Sequence, residues 1–91
     1  MAHKIDFKTF QGSYGVYTTL EECETITKKL NNIGFSCDWD HGGRNSIFIN
    51  PFKKEYFLFI HSHGYLTADK FITPKQLNRY LDKIIKEGSD N

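Results

Sequence analysis

The stretch EYFLFIHS, residues 55–62, most restricts what this chain can fold into. Side chains of a strand alternate between its two faces, so Tyr56, Leu58, Ile60 and Ser62 share one side and Phe57, Phe59, His61 and, one residue on, His63 share the other. Both sides are apolar. A strand with one solvated face alternates apolar with polar residues, so a second partner must cover this one. The chain has 91 residues, of which 38% are hydrophobic and 15% aromatic, enough for one packed core and too few for two. A single domain over residues 1–91 is expected, with its ordered core at about residues 4–87.

The segments flanking this strand have readable periods. KIDFKTF alternates and reads as an edge strand, and QGSYGVY, with Gly12 and Gly15, reads as a turn or bulge after it. TTLEECETITKKLNNIG reads as a helix. Thr19 and Glu22 form a capping box, Gly34 lies just past the last turn, and Leu20, Cys23, Ile26 or Thr27, Leu30 and Ile33 make the buried stripe. FSCDWDH alternates, placing Phe35, Cys37 and Trp39 on one face. GGRN reads as a hairpin turn, SIFIN as the next strand, NPFKK as a second turn, and EYFLFIHS as the last strand of a meander. A second capping box, Thr73-Pro74-Lys75-Gln76, opens a helix from Pro74 to about Glu87, with Ile72 and Leu77 as a hydrophobic staple.

The expected fold is therefore α+β: a two-layer sandwich in the order β-α-β-β-β-α, an antiparallel sheet with both helices on one face. If Phe35, Cys37, Trp39, Ile47, Ile49, Leu58 and Ile60 meet the helices, then Phe48, Phe57, Phe59, His61 and His63 point away. Phe52 and Tyr65 fall at the rim of that outer face.

Charge narrows the function. Twelve basic and eleven acidic residues give a net charge of +1, which excludes a strongly basic nucleic-acid binder and a strongly acidic mimic of one. The chain has no run of eighteen apolar residues and no hydrophobic leader, so the cytoplasm is the expected compartment, and Cys23 and Cys37 are expected as buried free thiols. The many Lys, Asn, Ile, Phe and Tyr residues, against two alanines, suggest an A+T-rich coding sequence, as in low-GC bacteria and their phages and plasmids.

Chemistry-bearing groups are few. His61 and His63 share a strand face, with His41, Asp38, Asp40 and Asp69 as further metal-ligand candidates, but their spacing fits no zinc signature and no metal or cofactor is expected. Asp40 and His41 could form an acid–base pair, yet alternation sends them to opposite faces. No serine or cysteine sits where a nucleophile would work, and Gly12-Ser13-Tyr14-Gly15 is too short to cradle phosphates. A non-enzymatic binding module is expected: a protein-interaction or inhibitor protein, of the kind mobile elements and phages use against host machinery. Its partner is another protein or a second copy of the chain, met by Phe48, Phe57, Phe59, His61 and His63.

The alternative is an RNA- or DNA-binding domain using the same face with Lys53, Lys54, Lys70, Lys75 and Arg79, since aromatic sheet faces with nearby lysines stack single-stranded bases. From Leu20 onward the order α-β-β-β-α, with Ile33-Gly34-Phe35 ending one helix and Thr73-Pro74-Lys75-Gln76-Leu77 opening the other, resembles double-stranded RNA-binding domains and HicA-type mRNA interferase toxins. The toxins' Gly-Ser-His is replaced by Gly43-Arg44-Asn45-Ser46, so no catalytic residue carries over. The lysine-rich helix opening of the RNA-binding domains is reduced to Lys75.

Overall fold

The computed structural model describes residues 4–40, 42–59 and 67–89. Its elements are β1 (Tyr14–Tyr17), α1 (Leu20–Asn32), β2 (Ser36–Asp40), β3 (Ser46–Asn50), β4 (Glu55–Phe59), β5 (Lys70–Phe71) and α2 (Pro74–Ser89). One sheet contains all five strands in the order β2-β4-β3-β1-β5. The α+β class and the helix layer agree with the sequence reading. The sheet, however, is mixed: β3 is antiparallel to β1 and β4, whereas β1–β5 and β2–β4 are parallel.

Both helices form for the reasons their ends display. Thr19 Oγ1 accepts from the Glu22 N–H and the Glu22 carboxylate accepts from the Thr19 N–H, so two otherwise orphaned donors are satisfied. At the other end Gly34 takes φ +97°, its N–H reaches Asn31 O, and the Phe35 N–H reaches Leu30 O, a Schellman closure that needs glycine. Thr73 Oγ1 accepts from the Gln76 N–H to start α2. Leu20, expected on the buried stripe, is 60% exposed at the first position of α1, and the stripe that is buried runs from Cys23 through Ile26 to Leu30.

The inner sheet face follows from register. Tyr14 pairs with Ile49 and Ile49 with Tyr56; Val16 pairs with Ile47 and Ile47 with Leu58. These six pack with Cys23, Ile26 and Leu30 of α1 and Leu77 and Leu81 of α2 in one core cluster. Lys29 ties the helices together, donating to Asn78 at 3.1 Å and pairing with Asp82 at 2.7 Å.

Three features correct the sequence reading. First, residues 4–10 form no strand; β1 lies in the stretch read as a turn. Ile5 is buried and Phe7 and Phe10 pack on the core, but side chains serve this backbone: the Tyr14 hydroxyl accepts from the Asp6 N–H at 2.8 Å and the Tyr80 hydroxyl from the Phe7 N–H at 2.9 Å. Asp6 then closes its own turn by accepting from the Lys8 and Thr9 N–H groups. Second, β2 and β3 form no hairpin, because β4 lies between them and both edges of β3 are occupied. The helical crossover through α1 leaves β2 running parallel to β1 at the far edge. A five-residue connection easily crosses the two strand spacings, about 10 Å, needed to reach β3. The loop is fixed by Arg44 gripping both Asp40 oxygens and by the Thr18 N–H on Asn45 O. The antiparallel meander implied by the likeness to RNA-binding domains and HicA-type toxins is therefore absent. Third, Lys70–Phe71 adds a short parallel strand beside β1.

Candidate functional site: the aromatic outer face of the sheet

Alternation that sends Ile47, Ile49, Tyr56 and Leu58 inward sends Phe48, Phe57 and Phe59 outward, as the sequence indicates. Phe48 faces Phe57 across β3–β4 with ring centroids 5.6 Å apart in an edge-on arrangement, and Phe57 stacks on Phe59 at 6.3 Å. The structure extends this row in both directions with three rings that sequence reasoning missed.

Trp39 was expected on the helix-facing side, together with Cys37. The register of β2 shifts between them: Cys37 pairs with Tyr56, but Trp39 pairs with Phe57. One extra residue, Asp38, is accommodated as a bulge, and that reverses the face of everything after it. Trp39 therefore stands on the outer face, 52% exposed, its indole edge-on to Phe59 at 5.9 Å. Cys37 retains the inner phase but is exposed, because β2 is an edge strand; partial desolvation still pushes its thiol up, away from the thiolate.

On the other side, Tyr17 and Phe71 stack nearly parallel at 5.7 Å with a 10° interplanar angle, each 39% exposed. Between Phe71 and Phe48 the register places Gly15. The outer face thus runs in the spatial order Trp39, Phe59 and Phe57, Phe48, Gly15, Phe71 with Tyr17, its rings divided into two clusters by Gly15. A signal for Tyr17 existed in the alternation of YGVY, but it was hidden by the two glycines around Tyr14. Phe71 had none, since a two-residue strand has no period to read.

Of the other candidate residues, Phe52 is 63% exposed in the β3–β4 turn, beside the N-terminal segment at the end of the sheet rather than on its outer face. His41, His61, His63 and Tyr65 lie outside the described residues. The five cations of the nucleic-acid alternative do not gather on the aromatic rows. Lys70 sits with its ammonium 4.4 Å over the Phe10 ring, in the inner phase opposite Phe71. Lys75 and Arg79 line a depression on α2. Lys54, at φ +54°, lines the groove beside the N-terminal segment, and Lys53 is exposed in the same turn. What borders the aromatic rows at one end is the register row Ser36, Glu55 and Asn50.

The carboxylates weighed as metal ligands are held apart. Asp40, on edge strand β2, is bound by both Arg44 nitrogens and by the Gly42 N–H, which hold its carboxyl below the usual carboxylate range. Asp69, near the opposite edge, accepts from the Ser13 N–H and hydroxyl. Among the described residues no three His, Cys, Asp or Glu side chains form a group able to hold a metal ion. None of the described helices is long and apolar enough to cross a membrane.

Comparison with known proteins finds no matching family model, no matching curated protein and no matching solved structure.

Proposed function

We propose that this chain is a protein-interaction module, acting as an inhibitor or adaptor, that docks the aromatic outer face of its sheet onto another protein. The observation that carries this reading is the pair of exposed ring clusters on the outer face, Trp39 with Phe59, Phe57 and Phe48 on one side of Gly15 and Tyr17 with Phe71 on the other, on a domain whose own helices cover the opposite side. Trp and Tyr are the side chains that most often dominate binding energy at protein interfaces, because each desolvates a large, rigid area at little entropic cost. Phosphate-bearing partners are disfavoured on this face, since the lysines that would neutralise them lie elsewhere. The chemistry of the face is docking rather than catalysis: the described rings offer no nucleophile and no acid–base pair.

The test compares the tagged protein with its Trp39→Ser/Phe57→Ser variant, after thermal melts show both folded, in retention of proteins from a nuclease-treated bacterial lysate, beside light scattering. A protein held by the parent and lost by the variant supports the reading. A dimer of the parent that the variant dissolves would reassign the face to a second copy of the chain. Identical retention by two folded proteins would contradict it.

A further inference from the structure

Several cations absent from the aromatic face gather instead between the N-terminal segment and α2. A groove of about 510 Å³ between the N-terminal segment and α2 is lined by Lys4, Lys8, Lys70 and Lys83, with Asp6 and Glu87 as its acids. Asp6 is turned into its own loop, accepting from the Lys8 N–H at 2.9 Å and the Thr9 N–H at 3.0 Å. The other acid of α2, Asp82, is drawn to the far flank by Lys29 of α1. The basic lining continues along α2, where Lys75, Arg79 and Lys83 recur every four residues and all are exposed, so they share a flank about 12 Å long.

We propose that this groove and the adjoining flank of α2 hold the phosphate backbone of a single-stranded nucleic acid. A row of cations spread over about 12 Å suits an extended polyanion better than one phosphate group. Lysine ammonium groups are compact point charges that contact phosphates from many directions without reading bases, so the binding is sequence-independent. An anionic membrane is a poorer match: α2 buries Leu77 and Leu81 in the core and leaves only the half-buried Ile84 and Ile85 as further aliphatic residues, little apolar surface to insert. The site lies on the layer opposite the aromatic rows, so it is independent of the docking function proposed above.

The experiment is fluorescence anisotropy of a labelled single strand of about 20 nucleotides with the full chain, between about 50 and 200 mM salt. With the four groove lysines and Lys75 and Arg79 of the flank engaged, log affinity falls with log salt at a slope of about −4, from about −0.7 per phosphate on single strands. Lys8→Ala/Lys83→Ala, both exposed positions, weakens binding about tenfold and flattens the slope by about 1.4. Lys53→Ala/Lys54→Ala and Trp39→Ser/Phe57→Ser leave both unchanged. If Lys8→Ala/Lys83→Ala loses its fold, Lys83→Glu alone serves. No binding at the lowest salt, full affinity in the folded groove variant, or an equal loss in Lys53→Ala/Lys54→Ala would overturn the proposal. Equal competition by a polyglutamate peptide of matched length would overturn its assignment to nucleic acid.

Discussion

At Trp39 the indole is half in water on an edge strand, while Ile49, two strands away on the inner face, is fully buried. The contrast fixes what each side chain contributes. Trp39→Ser removes a partly buried ring and costs about 1–2 kcal/mol, whereas Ile49→Ala opens a cavity under both helices and costs about 3–4 kcal/mol. Thermal melts of the two variants should therefore separate clearly, with Trp39→Ser still folded at room temperature. A larger loss for Trp39→Ser would mean that its ring belongs to the core. Two tyrosines make a second prediction at this scale. Burial raises the phenols of Tyr14 and Tyr56 above their ordinary 10.0. A raised pKa in the folded state means that the unfolded chain ionises first, so the stabilising contribution is complete below about pH 10 and is lost as pH rises through the folded values. Melting temperature should hold from pH 7 to 9 and fall steeply above pH 10; a flat profile to pH 11 would contradict the burial of both hydroxyls.

Among the elements, those with a complete local code were legible in the sequence and those set by tertiary pairing were not. Both helices announced themselves through caps and period, and Gly34 closed α1 as expected. Nothing crowds a Cβ at Gly34, so Gly34→Ala should cost only the conformational penalty of a positive φ, about 1–2 kcal/mol by chemical denaturation. A change of a few tenths would show that the helix end relaxes. Strand β2 is the opposite case. Its alternating pattern predicted the wrong face for Trp39 because a bulge leaves no mark in hydrophobic periodicity. The false hairpin has a similar origin, since Gly42-Gly43 signals a turn without stating which strand follows in space. Residues 4–10 alternate like a strand but give their N–H groups to Tyr14 and Tyr80, partners distant in sequence. Deleting Asp38 tests the bulge: the strand on both sides keeps its register, so Trp39 stays outward and its emission maximum stays near that of the parent. The straightened edge should also self-associate more readily, because bulges protect edges. A strong blue shift of the emission would show that the indole had turned inward.

In the whole molecule, the sheet separates two surfaces of different chemistry. One carries rings from all five strands; the other, beyond the helix layer, carries a basic groove and the exposed flank of α2. The net charge of +1 concealed this, because acids on α1 and β2 balance lysines gathered elsewhere. Composition could exclude a strongly basic protein but not a local basic patch. The partition also explains why the aromatic and basic residues, interleaved along the sequence around NPFKKEYF, do not form one composite surface. Docking at the rings should be nearly insensitive to salt, whereas any contact in the groove should weaken steeply with it. The chain contains a single tryptophan, which reports on the aromatic face alone. Acrylamide quenching of Trp39, in the free protein and with the protein retained in the capture experiment added, therefore addresses the account directly. Strong quenching in the free state and protection in the complex is the predicted result; quenching that is unchanged by the bound partner would place the interface elsewhere and contradict the aromatic face as the docking surface.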